Sequence, residues 1–222
     1  MLNPIHAVKK LYKLDNPTSE STALGIRREI IEQHESDLGI QLPPMLYHYL
    51  LEVGNAPFNI AYHHFVELPF ERLGEYIVIG KTCDDDGVWG IHQADLKQHN
   101  PMVQMSRNFD SIATDEIYWF DELPLAQFLL AQAIVNGTNG GLEHHAQIFD
   151  FTGDTIPQNL GKKLATLTQE IDDLHRPHAR YFRVDDFNVV MVLNSDEDKP
   201  TAFLMGSQTV ETFEYWIHQL LD

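Results

Sequence analysis

The stretch LGIQLPPMLYHYLLEVGN, residues 38–55, decides the first part of the fold because it joins the end of one helix to the start of the next. Gly39 stands where a left-handed residue commonly ends a helix. Pro43-Pro44 suits the first turn of the following helix, because backbone N–H groups there have no partner within the helix and a proline loses nothing by lacking one. The apolar residues after it fall at i, i+3, i+4 and i+7 and so form one face: Leu46, Tyr49, Leu50 and Val53. The pattern predicts a helical hairpin, with a first helix over about residues 21–38 and a second that stops at Gly54-Asn55.

Short strand-like segments follow this hairpin, partly β-branched and separated by Gly, Pro, Asn or Asp. They are residues 65–68, 76–79, 88–92 and 102–105. Their connections are too short for parallel crossovers, so we expect an antiparallel meander. Residues 123–135 then return to helical spacing. Tyr49, Trp89, Trp119 and Phe128 are expected to fill the core between this sheet and the helices.

The run Asn136-Gly137-Thr138-Asn139-Gly140-Gly141 breaks regular structure and is the best candidate for a boundary. We therefore predict one domain over residues 1–141 and a C-terminal α+β extension, or small second domain, over residues 142–222. The second part is predicted to hold a strand (147–151), a helix (160–174), a hairpin (180–185 with 187–193), a strand (201–205) and a final helix (209–221). The predicted fold class is α+β, with helices against antiparallel sheet.

Charge and composition restrict the function classes. Fifteen Lys and Arg against 33 Asp and Glu give a net charge of −18. Such a field repels nucleic acids and anionic membranes and attracts a cationic protein. The single Cys83 cannot form an internal disulfide, and the longest apolar runs are too short to span a bilayer. Because the first residues also lack an apolar leader pattern, we expect a cytoplasmic protein.

Three groups of residues, in this order, resemble one known family. Leu38-Gly39, Leu42-Pro43, Leu46, Tyr49-Leu50 and Gly54 look like the opening signature of the SUKH superfamily. Ile77-Val78-Ile79-Gly80 with Asp86-Gly87 and Trp89, and Trp119 with Glu122-Leu123 and Phe128-Leu129, are similar to its later strand and helix signatures. The resemblance covers about residues 21–135, and one departure is Gly54-Asn55, where the family usually has Asn then Gly.

The resemblance implies a scaffold without catalytic chemistry. Bacterial members of that superfamily are mostly immunity proteins against toxins, and the fungal members regulate cell-wall synthesis. We therefore expect an immunity protein whose partner is a cognate, basic, nuclease-type toxin. A regulatory or scaffolding protein and, less favoured, a metal-assisted hydrolase remain as alternatives. The oligomeric state is left open.

The acidic residues of two loops, together with one aromatic residue, are the predicted partner-binding set: Asp84, Asp85, Asp86, Asp115, Glu116 and Tyr118. Contiguous carboxylates in a turn suit pairing with Lys and Arg of a partner, although a solvated turn without a role has the same composition. A calcium loop does not fit, because with Gly87 at its sixth position Thr82 would be first and Gln93 twelfth. Tyr62 and Trp216 are further candidate aromatic contacts.

Motifs for catalysis or metal binding are missing from the sequence. It has no Gly-x-Ser-x-Gly, Walker-type loop, His-Glu-x-x-His or Cys-x-x-Cys. The pairs His63-His64 and His144-His145 are adjacent, and neighbours on a strand point to opposite faces. Three aspartates after Cys83 oppose formation of its thiolate. We therefore expect no catalytic residue, no cofactor and no metal.

Overall fold

A computed structural model describes the chain over residues 3–14, 24–107, 117–149, 156–157, 159–174, 176, 178–195 and 199–221. Its residues divide into two compact units, the first made of Met1–Ile5 with Pro17–Gln132 and the second of His6–Asn16 with Ala133–Asp222. The division lies inside a helix, whereas the boundary predicted from sequence lies after the glycine-rich run at 141.

Within these ranges the helices are α1 Pro4–Leu11, α2 Arg28–Leu38, α3 Pro44–Val53, α4 Leu125–Asn136, α5 Leu160–Leu167 and α6 Val210–Leu221. The strands are β1 His64–Phe65, β2 Glu71–Leu73, β3 Tyr76–Lys81, β4 Gly87–His92, β5 Met102–Arg107, β6 Phe120–Pro124, β7 His144–Phe149, β8 Gln169–Glu170, β9 Ala179–Arg183, β10 Asn188–Asn194 and β11 Pro200–Ser207. Every strand pair is antiparallel, which confirms the predicted α+β class.

The helical hairpin of the first unit forms as the sequence predicts. Gly39 ends α2 in the left-handed region with φ 65°, and its N–H bonds back to the carbonyls of Glu35 and Ser36. The predicted apolar face of α3 is fully buried. The predicted start of the first helix near residue 21 is wrong for the described part, because α2 begins only at Arg28. Residues 24–26 instead run beside the end of α3, where the Ile26 N–H donates to the Leu50 carbonyl at 2.8 Å.

The sheet of the first unit has the order β1-β3-β4-β5-β6, and β2 pairs with the same edge of β3 as β1 does. The predicted meander is present, but β2 and β6 were not predicted. The register of β3 against β4 shifts between Val78 and Gly80, so Ile79 is the extra residue of a bulge. Trp89 and Phe128 are buried with ring centroids 5.6 Å apart.

The second unit has a five-stranded sheet in the order β7-β11-β10-β9-β8. Residues of α5 and α6 share a core cluster with β9, β10 and β11: Leu160, Leu164, Phe182, Val190, Val192, Phe203, Met205 and Leu220. The helix predicted over 160–174 ends at Leu167, since Thr168 turns to an extended conformation and its side chain bonds the Leu164 carbonyl at 2.6 Å. Arg180 then pairs with Glu170 at 2.8 Å across β8 and β9.

Among the described residues, none of the helices has the length and apolar character that a membrane span requires.

Candidate functional site

The negative charge of the chain is concentrated in the first unit. That unit has 6 Lys and Arg against 18 Asp and Glu, a net charge of −12, whereas the second has 9 against 15, a net charge of −6. Two-thirds of the total of −18 therefore belongs to the unit with the predicted partner-binding residues. Attraction of a cationic partner would be strongest there.

Residues 82–86 between β3 and β4 form an acidic turn, which is held in shape by its first residue, Thr82, and by Gly87 at the start of β4. The Thr82 N–H donates to the Gly87 carbonyl, and the Gly87 N–H donates to Thr82 Oγ1, both at 2.9 Å. Asp85 occupies the left-handed region with φ 56°. Asp84, Asp85 and Asp86 are all exposed. A hydrogen bond from Thr82 keeps the pKa of Asp84 below its usual value, so this carboxylate keeps its charge to a lower pH than an ordinary aspartate does.

An aromatic residue stands beside the acidic turn. The Cys83 N–H donates to His63 Nδ1 at 3.1 Å, and the Tyr62 ring lies 4.6 Å from the His63 ring. A hydrogen bond with Cys83 and, as a smaller contribution, burial raise the pKa of Tyr62 to about 12. Tyr62 is nevertheless 40% exposed, so its ring offers contact area next to the three aspartates. Tyr62 was a candidate from the sequence, but its proximity to this turn was not.

A cleft of about 390 Å³ lies near the acidic turn, where β1 and β2 both pair with β3. Its charged lining consists of Glu67, Glu71 and Asp85 with Lys81, plus His64. Lys81 Nζ is 4.0 Å from Glu71 Oε2, and His64 Nδ1 is 3.2 Å from Glu67 Oε2. These pairs are largely exposed, and exposed ion pairs contribute little to stability.

A second surface lies at the opposite end of the β3–β4 hairpin, and we call it the aromatic–acidic surface: Glu75, Tyr76, His92, Tyr118, Trp119 and Asp121. The rings of Tyr76 and Trp119 are stacked, with centroids 3.9 Å apart and planes 11° apart. His92 meets the edge of Tyr76 at 5.0 Å. Gly90 permits this arrangement, because a Cβ there would lie 3.0 Å from the Trp119 ring. Trp119 is therefore half-buried over Gly90, and the expectation that it fills the core was wrong.

Carboxylates surround these rings. Glu75 Oε2 lies 3.3 Å from His92 Nε2, and Gln104 Nε2 donates to Asp121 Oδ1 at 2.7 Å. Burial raises the pKa of the Tyr76 hydroxyl, and the negative charges of Asp121, Asp95 and Glu75 raise it further. Three carboxylates thus create a negative potential at one tyrosine, which favours a cation nearby.

The structure separates the predicted partner-binding residues. Asp84, Asp85 and Asp86 lie at one end of the β3–β4 hairpin, while Tyr118 lines a groove with residues 73–76 at the other. At about 3.4 Å per residue, the length of β3 puts the two groups roughly 20 Å apart. Asp115 and Glu116 lie outside the described residues.

Sequence reasoning missed the contributions of Tyr76, His92 and Asp121. The available signal was Gly90 in the middle of a strand, which marks a site where another group comes close. The remaining aromatic candidate, Trp216, is partly buried against the core of the second unit.

Among the described residues, no set of three or more His, Cys, Asp and Glu side chains is placed to hold a metal ion. Cys83 is an exposed free thiol, and the Nδ1 atom of the neighbouring His63 accepts a backbone N–H. The two acidic surfaces present carboxylates beside aromatic rings, and both groups attract a cation.

No protein-family model, curated protein or solved structure matches this chain.

Proposed function

We propose that this chain is a non-catalytic immunity protein that binds a basic, nuclease-type toxin and blocks it by occupying its cationic surface. One observation supports this proposal above the others. In the unit with net charge −12, each end of the β3–β4 hairpin presents exposed carboxylates beside an exposed tyrosine. At one end the acidic turn lies beside Tyr62, and at the other end Glu75 lines a groove with Tyr118.

Carboxylates and tyrosines have complementary parts in such an interface. Long-range attraction between the acidic unit and a basic protein accelerates their encounter and selects against acidic partners. Tyrosine rings are enriched at the positions that supply most of the binding free energy, because they bury a large area with few rotatable bonds. The resemblance to the SUKH superfamily supports the same function, since immunity proteins inhibit by binding alone.

Co-expression tests the proposal. The protein encoded next to this chain's gene is induced in a bacterial host with and without this chain, and survival is counted. The proposal expects that the neighbouring product kills, that this chain restores growth, and that the two proteins co-purify. A neighbouring product that is harmless, or that kills equally well in the presence of this chain, would contradict it.

A charge-matched pair of variants locates the interface. The triple substitution Asp84→Asn, Asp85→Asn and Asp86→Asn removes three charges from the acidic turn. The matched control removes three from exposed glutamates of the second unit: Glu143→Gln, Glu211→Gln and Glu214→Gln. We expect the first variant to slow association with the toxin about tenfold at low salt and the control to change it less. Equal effects would show that only the total charge matters.

A further inference from the structure

We propose that the aromatic–acidic surface is an arginine-binding site, which takes the guanidinium group of a partner's arginine against the Tyr118 ring. The inference rests on the proposed function and deepens it, because it names the residue type that the surface recognises. Three features of the first unit support it: an exposed ring, a fixed set of aromatic neighbours, and an exposed carboxylate in a groove whose lining has no Lys or Arg.

The exposed ring belongs to Tyr118, of which 77% is accessible, the largest value among the exposed large hydrophobic residues of the described chain. It lines an open groove of about 540 Å³ together with Leu73, Gly74, Glu75, Tyr76, Ile117 and Trp119. A tyrosine of this exposure contributes little to the fold, since less than a quarter of its area is buried. Its face is available to a cation from outside.

The neighbours of Tyr118 are held in place before any partner arrives. Trp119 is stacked on Tyr76, and its ring lies over the open position at Gly90. His92 also holds Tyr76 through an edge-to-face contact. A site ordered in advance loses less conformational entropy on binding, which favours affinity.

The charge of the groove is negative and local. None of its seven lining residues is Lys or Arg, and the Glu75 side chain is 83% exposed. Asp95 and Asp121 lie close enough to Tyr76 to influence its hydroxyl. A cation in this groove would meet the Glu75 carboxylate and aromatic side chains together.

This combination favours arginine over lysine. The guanidinium group is planar, more weakly hydrated than an ammonium group, and able to stack on an aromatic ring while its N–H groups bond carboxylates. An acidic surface without rings would instead attract both cations by charge. The preference between the two is therefore the property that separates this site from general electrostatic attraction.

Two fluorescently labelled peptides, octa-arginine and octa-lysine, test the inference on the full chain by fluorescence anisotropy. We expect wild-type protein to bind octa-arginine more tightly than octa-lysine. Tyr118→Ala should lower the affinity for octa-arginine roughly two- to fivefold and change the affinity for octa-lysine little. Tyr118→Phe, which keeps the ring, is expected to retain the preference. Glu75→Gln should weaken both peptides, because it removes charge and leaves the ring.

Matched controls use residues of the same type elsewhere. Tyr215→Ala removes a 56%-exposed tyrosine from the second unit, and Glu29→Gln removes an exposed carboxylate from α2. We expect Tyr215→Ala to keep the arginine preference. Glu29→Gln should weaken binding less than Glu75→Gln does.

Equal affinity of wild-type protein for the two peptides, or an arginine preference that Tyr118→Ala leaves intact, would overturn the inference. These results are distinguishable from failure of the proposed function. A chain that protects cells from a toxin yet shows no arginine preference would contradict only the arginine site. A chain that prefers arginine through Tyr118 but protects against no toxin would contradict only the immunity role.

Discussion

Replacement of Gly25 by alanine tests how residues 24–26, which precede α2, pack against α3. A Cβ at this position would lie 1.7 Å from the Leu51 carbonyl oxygen, whereas ordinary contact begins near 3.4 Å. The obstacle is backbone, so the segment must move away by more than an ångström. That movement breaks three hydrogen bonds: Ile26 N–H to the Leu50 carbonyl at 2.8 Å, Asn55 N–H to the Leu24 carbonyl at 2.7 Å, and Asn55 Nδ2 to the Gly25 carbonyl at 3.0 Å.

At about 1 kcal/mol for each bond, Gly25→Ala is expected to lower the free energy of unfolding by about 3 kcal/mol. Urea denaturation followed by tryptophan fluorescence measures it. The Trp216→Phe background leaves Trp89 and Trp119, which both belong to the first unit. With a slope of about 2 kcal/mol per molar urea, the midpoint should fall by roughly 1.5 M.

The matched control is Gly39→Ala in the same unit. Gly39 has φ 65°, and no atom lies within 4 Å of the position that a Cβ would take there. Alanine at this residue therefore incurs only the left-handed conformational cost of about 1 kcal/mol. The two variants together separate close approach from backbone conformation. A Gly25→Ala protein as stable as the Gly39→Ala protein would refute the reasoning.

Two further predictions concern the same unit. Asn59→Ala should lower the free energy of unfolding by about 2–3 kcal/mol, because it removes two buried hydrogen bonds. Asn59 accepts from the Tyr49 hydroxyl at 3.1 Å and donates to the Val53 carbonyl at 2.7 Å. A loss under about 1 kcal/mol in urea titrations would contradict this expectation. Burial lowers the pKa of His34, whose Nε2 accepts the Phe70 N–H at 2.9 Å. The unfolded chain therefore binds the proton more readily, and this contribution to stability is complete above pH about 6.5 and is lost as pH falls. His34→Gln should reduce the loss of stability between about pH 7 and pH 5, measured by thermal denaturation; an identical pH dependence in both proteins would argue against this role.

The residues that sequence reasoning placed correctly are those whose signal is local. Their conformation can be predicted from residues within one or two helical turns. Examples are Gly39, the proline pair before α3, and the i, i+3, i+4 spacing of Leu46, Tyr49 and Leu50. Most strands of both sheets were also found, because β-branched runs between turn residues are a local pattern. The short strands β2, β6 and β8 were missed because pairing with a neighbour, rather than composition, makes them strands.

The candidate site was less predictable. The aspartates of the acidic turn were visible as a run, and so was Tyr118 as an aromatic near a loop. Their separation along the β3–β4 hairpin was not, since distance across a sheet depends on register. Trp119 was assigned to the core because large aromatic residues are usually buried. Its stacking on Tyr76 depends on a glycine in a different strand.

The sequence by itself determined the fold class, the helical hairpin, the excess of negative charge and the lack of familiar catalytic motifs, since each follows from composition or from spacing along one element. Only the tertiary structure decided that the charge is concentrated in one compact unit, that Tyr62 stands beside the acidic turn, and that Tyr76, Trp119 and Glu75 form one surface with Tyr118. The physical reason is that these relations join residues far apart in the chain, and hydrogen-bonded strand register fixes which of them meet.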